Sequence, residues 1–139
     1  SAPLGTATPA TAQGGALTAE EIREMVAYAR KYHVELVPQQ QTFGHLHKAL
    51  KFEKYNELAE VPYGDVLSPQ QEGSFKLVAD WYKEIDELFP GKFFHIGADE
   101  TVELGRGQTR ARAEEVPVSE MIAGVRRIVA VSPIGSRSA

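Results

Sequence analysis

The chain alternates amphipathic helices with short apolar strands, and this alternation constrains its fold more than any other feature. The first helix is predicted from Thr18 to about Tyr32, because Thr18 and Glu21 have the spacing of a capping box. Its apolar stripe consists of Ile22, Met25, Val26 and Ala29. A β-branched strand is predicted from Val34 to Val37, which Pro38 closes because proline lacks a backbone N–H.

A second, longer helix and a second strand follow. A weaker helical pattern covers residues 47–58, and the long helix is predicted to begin near Ser68 or at Ser74 and to end before Pro90. Its stripe consists of Phe75, Val78, Trp81, Tyr82, Ile85, Leu88 and Phe89. We expect the aromatic members of the stripe to lie in the core rather than to stack on sugars. The second strand is predicted over Phe93 to Ile96.

This order of elements predicts an α/β fold with parallel strands. Ligands of such folds gather at the carboxyl ends of the strands. Polar clusters follow both predicted strands, one running from Gln41 to His45 and the other from Ala98 to Glu100. A (β/α)8 TIM barrel needs about 250 residues, so a chain of 139 residues can form only part of one.

Composition excludes several classes of function. The net charge is −4 with no basic block, so nucleic acid is not expected as a partner. Without cysteine, a disulfide framework, a thiolate metal site and a cysteine nucleophile are all unavailable. No apolar run reaches the roughly 20 residues of a membrane span, and no secretory signal pattern is present, so the sequence predicts no membrane partner and leaves the compartment open.

Three regions are predicted along the chain. Residues 1–15 are rich in Ala, Thr, Pro and Gly without any charge, which indicates a disordered lead-in. Residues 16–112 carry the helix and strand signals. Residues 113–139 form a divergent C-terminal tail, in which the segment 116–130 has apolar residues for one more helix or strand but no site.

Asp99 and Glu100 are the strongest candidates for chemistry. These adjacent carboxylates follow an apolar strand and two small residues, Gly97 and Ala98, that allow a ligand to approach the backbone. One of two neighbouring carboxylates beside an apolar wall can stay protonated near neutral pH while the other is ionised. General acid catalysis at a glycosidic oxygen requires that division. The dipeptide alone is more typical of a solvated acidic loop.

Two histidines are secondary candidates. His45 ends the first polar cluster, where its imidazole could orient a carboxylate. His95 alternates with Phe94 and Ile96 along the second strand, and a satisfied core histidine is the expected role for it. Both histidines together with the acidic pair could in principle bind zinc or manganese, but their spacing matches no ligand motif, and we predict neither metal nor cofactor.

The segment His95-Ile96-Gly97-Ala98-Asp99-Glu100 resembles the motif His-x-Gly-Gly-Asp-Glu of glycoside hydrolase family 20, with Ala98 in place of a glycine. The earlier segment from Pro38 to His45, which includes the first polar cluster, resembles the family pattern Pro-Glu-x-Asp-x-Pro-Gly-His. Pro38, Gly44 and His45 match that pattern. Gln39, Gln41 and Phe43 depart from it.

The resemblance implies a (β/α)8 catalytic domain that removes terminal β-linked N-acetylglucosamine or N-acetylgalactosamine with retention of configuration. It also implies a substrate-assisted mechanism, because family 20 is an exception to the two-carboxylate scheme of most glycosidases. By that resemblance Glu100 is the general acid and base, Asp99 orients the 2-acetamido group, and His45 hydrogen-bonds the glutamate. Gln41 and His95 are supporting residues, and a carbohydrate is the expected partner.

Other readings of the sequence stay open. The family's sugar-binding arginine and the aromatic walls of its acetamido pocket have no counterpart here, so we expect this polypeptide alone to be weakly active or inactive, as a truncated piece of a hexosaminidase. The alternatives are a glycosidase of related fold with another substrate, and a non-catalytic βαβ fragment or binding module. A metal-dependent hydrolase ranks third.

Overall fold

A computed structural model describes residues 17–115 of the chain. The predicted lead-in, residues 1–15, and the apolar segment 116–130 of the predicted tail lie outside the described residues. Within residues 17–115 the regular elements are helices. They are α1 (Ala19–Lys31), α2 (His47–Leu50), α3 (Glu53–Asn56), α4 (Glu72–Leu88) and α5 (Arg110–Glu115).

Helix α1 begins as the sequence predicts. The backbone N–H of Thr18 donates to Oε2 of Glu21 at 2.7 Å, and the N–H of Glu21 donates to Oγ1 of Thr18 at 3.2 Å, which completes the capping box. The predicted stripe is only partly buried. Ile22 is buried, whereas Met25 is 43% exposed, so its assignment to a buried face is wrong.

The weak helical pattern after His45 corresponds to two single-turn helices rather than one. Phe52, between α2 and α3, has an extended backbone with φ −80° and ψ 136°, and this interrupts the helix. A turn, in which Leu58 and Ala59 donate to the carbonyls of Tyr55 and Asn56, then brings Leu58 and Ala59 into the core, where Ala59 and Leu67 form an isolated antiparallel bridge.

Helix α4 confirms the long amphipathic helix but not its predicted start. Gln71 is the N-cap and makes no side-chain capping bond, so Ser68 and Ser74 are both wrong as caps. Ser74 is buried inside the first turn instead. The predicted stripe is confirmed as the core face for all but its last member. Its buried residues are Phe75, Val78, Trp81, Tyr82, Ile85 and Leu88.

The two predicted strands are wrong as regular strands, because residues 17–115 contain no β-ladder. The segments are extended and meet in one parallel bridge between Gln39 and His95. The N–H of Gln40 donates to the carbonyl of His95 at 3.0 Å, and the N–H of His95 donates to the carbonyl of Pro38 at 2.9 Å. The segments are therefore parallel, as the order of elements predicts.

Two local features limit the pairing to a single bridge. Toward the N-terminus, the next bond of a parallel ladder would need an N–H on Pro38 directed at the carbonyl of Phe93, and proline has none. Toward the C-terminus, the next bond would need the N–H of Gly97 directed at the carbonyl of Gln40. That N–H donates instead to Nδ1 of His95 at 3.2 Å, and Gly97 has a left-handed φ of 66°.

The core lies between α4 and the extended segments that carry the polar clusters. Tyr82 of α4 packs edge-on against Phe94, with ring centroids 4.9 Å apart. Phe43, from the first cluster, is 1% exposed and belongs to the same core. Helix α1 packs against α4 from outside. None of the helices among residues 17–115 is long and apolar enough to cross a bilayer.

Candidate active site

The two polar clusters lie side by side, as expected for the carboxyl ends of parallel segments. The buried hydroxyl of Thr42 donates to the carbonyl of Ile96 at 2.9 Å. One residue earlier, the side-chain oxygen Oε1 of Gln41 accepts the N–H of Ala98 at 3.2 Å. The bonded residues are separated by 54 and by 57 positions in the chain. The two bonds fix the position of the backbone that leads to the acidic pair.

Gly44 allows the closest contact between the clusters. A Cβ atom at this position would lie 2.4 Å from the backbone carbonyl oxygen of Asp99, which no side chain tolerates. Gly44 is one of the residues that match the family pattern, and the structure supplies the physical reason for a glycine there. The missing side chain lets the backbone that carries His45 pass directly over the backbone that carries Asp99.

The backbone around the acidic pair is largely left-handed. Gly97, Ala98 and Glu100 have φ values of 66°, 69° and 51°, and His45 on the other cluster has 58°. For residues other than glycine this conformation costs about 1 kcal/mol or more each. Such residues concentrate at functional sites, where the surrounding contacts hold them in place.

His45 lies between the two carboxylates. Its Nε2 is 3.4 Å from Oδ2 of Asp99 and 3.5 Å from Oε2 of Glu100. Both distances exceed the roughly 2.9 Å of a good N–H···O bond, and catalytic hydrogen bonds are often long before substrate binds. A single N–H at Nε2 can donate a good hydrogen bond to only one carboxylate at a time. The imidazole is within reach of both and can therefore hydrogen-bond either one.

Asp99 is held in its ionised form. Its own backbone N–H, a hydrogen bond from Gln41 and the neighbouring His45 lower the pKa of Asp99 below its ordinary value of 3.8. The side chains of Asp99 and Glu100 are 61% and 73% exposed, and that of His45 is 38% exposed. The pair therefore faces open space, while its backbone is anchored on the core.

The structure brings together Gln41, His45, Asp99 and Glu100 but not His95. The expectation of a core position for His95 is wrong, because its ring is exposed and Nδ1 accepts the N–H of Gly97. In the part of the chain that the structure describes, no three His, Asp or Glu side chains are arranged to hold a metal ion.

A cavity of about 460 Å³ lies at the other end of the extended segments. Its lining includes Arg30, His33, Glu35 and Lys92. Glu35 precedes the parallel bridge in the chain and Lys92 precedes its partner segment, so this cavity is at the amino ends, away from Asp99. The acidic pair is thus a surface feature at the carboxyl ends, as the strand order predicts.

Two residues near the site were not singled out by the sequence. Asp65 is bonded to the backbone just after His45, and Glu103 is bonded to the backbone of Asp65. Nothing local distinguishes these acids from solvated loop residues, because their partners lie 18 and 38 positions away.

Comparison with known proteins identifies the family. The chain matches the family model described as "Glycosyl hydrolase family 20, catalytic domain" over residues 4–122. This match covers most of the 139 residues. The chain belongs to glycosyl hydrolase family 20.

Named relatives agree with that membership. The chain is 38% identical to hexosaminidase D of Bos taurus over 96 residues, which cover 68% of this chain and 28% of that protein. It is 35% identical to hexosaminidase D of Homo sapiens over 99 residues, 70% of this chain and 20% of that protein. A beta-hexosaminidase of Vibrio furnissii is 34% identical over 97 residues, which cover 63% of this chain and 16% of that protein. The chain thus spans less than a third of the length of each of these relatives.

A solved structure shares the fold. The crystal structure of a beta-N-acetylhexosaminidase superposes with a TM-score of 0.68 at 22% identity, over 84% of this chain and 29% of that chain. This likeness supports a TIM-barrel-like arrangement of the described elements, although no β-ladder forms within residues 17–115.

Proposed function

We propose that the chain carries the acidic pair of a β-N-acetylhexosaminidase that removes terminal β-linked N-acetylglucosamine or N-acetylgalactosamine. The observation that carries this proposal is the placement of His45 Nε2 within 3.5 Å of both carboxylates. The family membership and the hexosaminidase names of the relatives support the substrate class.

The proposed chemistry uses the substrate's own amide as nucleophile. Glu100 donates its proton to the glycosidic oxygen while the acetamido carbonyl oxygen attacks the anomeric carbon and the bond to the leaving group breaks. The ionised Asp99 orients the acetamido N–H and stabilises the positive charge on the cyclised amide. The carboxylate of Glu100 then takes a proton from water, which opens the ring and restores the original configuration.

Asp99 and His45 suit these two roles. The lowered pKa of Asp99 keeps it negative, as charge stabilisation requires, and Gln41 is bonded to the N–H of Ala98 directly before it. His45 can donate to Glu100 when that residue is ionised after the first proton transfer. In the family pattern a charged residue stands at the position of Gln41.

The wider fold belongs to the same proposal. We infer that the described helices and the two extended segments form part of a (β/α)8 barrel. The parallel bridge between Gln39 and His95 and the convergence of both polar clusters support this inference. Because Glu100 is 73% exposed, water weakens the electrostatic interactions around it, and we expect slow turnover by the 139-residue chain.

A matched pair of substrates tests the mechanism. The chain should release nitrophenol from an aryl N-acetyl-β-glucosaminide but not from the corresponding β-glucoside, which has a hydroxyl in place of the acetamide. Proton NMR of the first product should show the β anomer, since two inversions give retention. Equal rates on both substrates, or an initial α anomer, would contradict the substrate-assisted mechanism and favour a glycosidase with another substrate.

The exposure of the pair also favours a second candidate, a non-catalytic sugar-binding module. Binding to the folded state alone raises the melting temperature. A rise with N-acetylglucosamine and no hydrolysis of either aryl substrate would support the module over the enzyme.

A further inference from the structure

Asp65 is bonded to the segment that carries His45. Its backbone carbonyl accepts the N–H of Leu46 at 2.9 Å, and its Oδ1 accepts the N–H of His47 at 2.8 Å. The backbone N–H of Asp65 points the other way and donates to Oε2 of Glu103 at 2.9 Å. Asp65 thus connects the histidine segment to a second segment 38 residues further along the chain.

Glu103 belongs to the turn that begins at the acidic pair. The N–H of Val102 donates to the carbonyl of Glu100 at 2.9 Å, which folds the backbone tightly between Glu100 and Glu103. Oε2 of Glu103 also accepts the N–H of Val66 at 3.0 Å. Gly64 leaves room for this carboxylate, because a Cβ there would lie 2.5 Å from Oε2.

These bonds are of a strong type. A carboxylate that accepts backbone N–H groups makes charge-assisted hydrogen bonds, roughly twice as strong as neutral ones. The two bonds to Glu103 are partly buried, which limits competition from water, whereas the bond from His47 to Asp65 is exposed. The two site segments are therefore joined directly, by the bonds of Gln41 and Thr42, and also indirectly, through Asp65 and Glu103.

We propose that Asp65 and Glu103 are positioning residues that set the separation between His45 and the two carboxylates. Neither side chain touches the site itself. The expected effect on catalysis rests on the proposed function, whereas the effect on the separation between His45 and the carboxylates does not. Misplacement of a catalytic group by about 1 Å can lower a rate by as much as about 100-fold, so a loss of this connection should lower kcat more than it changes KM.

The test compares Glu103→Ala with two further variants of the full chain. Glu103→Gln keeps an oxygen that can accept both N–H groups and serves as the rescue. Glu35→Ala is the matched control, because Glu35 also accepts a backbone N–H, that of Lys92 at 3.0 Å, across 57 positions at the remote ends of the same segments. The readouts are carbon-13 NMR titration of Asp99 and amide hydrogen exchange at Asp65 and Val66.

Glu103→Ala should raise the pKa of Asp99 toward 3.8, because the turn that holds Asp99 near Gln41 and His45 is released. Exchange at Asp65 and Val66 should become at least tenfold faster. Glu103→Gln should stay near the wild type, and Glu35→Ala should leave Asp99 unchanged. If Glu103→Ala does not fold, Glu103→Asp, which is one methylene shorter, should shift the same signals in the same direction.

An unchanged Asp99 titration in Glu103→Ala, or an equal change in Glu35→Ala, would overturn the positioning role. Neither readout needs a substrate. If the variants show the expected NMR response but the chain hydrolyses no N-acetylhexosaminide, the positioning role stands and the proposed function is wrong.

Discussion

Gln41 is hydrogen-bonded to the backbone that carries Asp99. Its Oε1 accepts the N–H of Ala98 at 3.2 Å, and its side chain, after the backbone N–H of Asp99 itself, helps to lower the pKa of Asp99. A carboxylate at position 41 could accept from Ala98 but could not donate to Asp99, whereas a glutamine can do both.

Substitution of Gln41 should therefore change the ionisation of Asp99. Gln41→Ala is expected to raise the pKa of Asp99 toward 3.8, and Gln41→Glu should raise it further because a second negative charge then faces it. Carbon-13 NMR titration measures both shifts. Gln39→Ala is the control, since the side chain of Gln39 is exposed and only its backbone takes part in the bridge. An unchanged titration in Gln41→Glu would contradict the assigned contact.

Ala98 stands where the family motif usually has glycine, and it retains the left-handed φ of 69°. Ala98→Gly should relieve strain and raise the free energy of unfolding by about 0.5–1 kcal/mol. Urea unfolding gives the value. Ala49→Gly, in the buried face of α2, should lower it by about 1 kcal/mol. A destabilised Ala98→Gly variant would show that position 98 is not strained.

Gly44 and Gly91 form a matched pair for testing the close approach. A Cβ on Gly44 would meet the backbone oxygen of Asp99, whereas one on Gly91 would meet the end of the flexible side chain of Glu35. Gly44→Ala should destabilise the chain by about 1–3 kcal/mol and shift the NMR signals of His45, because backbone must move. Gly91→Ala should cost less, because only the bond of Glu35 to Lys92 is disturbed, and it should leave the signals of His45 unchanged. Equal effects of the two variants would contradict the contact between the clusters.

Glu84 on α4 is expected to make stability depend on pH. Burial raises the pKa of Glu84, and its Oε2 is buried without a hydrogen-bond partner. A folded-state pKa above the unfolded one means that ionisation opposes folding, so stability should rise as pH falls from neutral through the folded pKa. Glu84→Gln should add about 1 kcal/mol at pH 7 and progressively less in acid.

Urea unfolding of both chains between pH 7 and pH 4 measures this difference. Glu24→Gln, at an exposed position of α1, is the control and should be neutral at every pH. A gain from Glu84→Gln that is the same at pH 4 as at pH 7 would rule out ionisation as its cause.

Local signals account for the parts of the fold that the sequence predicts. The Thr18 capping box and the stripe of α4 depend on residues three or four positions apart, and both are confirmed. The convergence of the polar clusters follows from the order of the elements alone. Gly44 matches the family pattern in the sequence, but its contact with Asp99 emerges only in three dimensions.

The errors arise where distant partners decide the structure. The predicted strands end after one bridge because Pro38 and Gly97 cannot supply the next bonds. His95 is exposed because its neighbours Phe94 and Ile96 pack against the core, and nothing local in the sequence shows that the other face of this segment is left uncovered. The bonds of Asp65 and Glu103 span 18 to 38 positions, and no periodicity in the sequence encodes them.

Hydrolysis of phenyl N-acetyl-β-glucosaminide, whose phenol is a poorer leaving group than nitrophenol, by the wild type and by Glu100→Gln tests the central claim most directly. The substitution keeps the size of the side chain and removes the transferable proton, which should lower kcat by about 100-fold or more for a poor leaving group. Circular dichroism of both chains should be the same. If Glu100→Gln releases the aglycone as fast as the wild type, Glu100 is not the acid and the proposed mechanism is wrong.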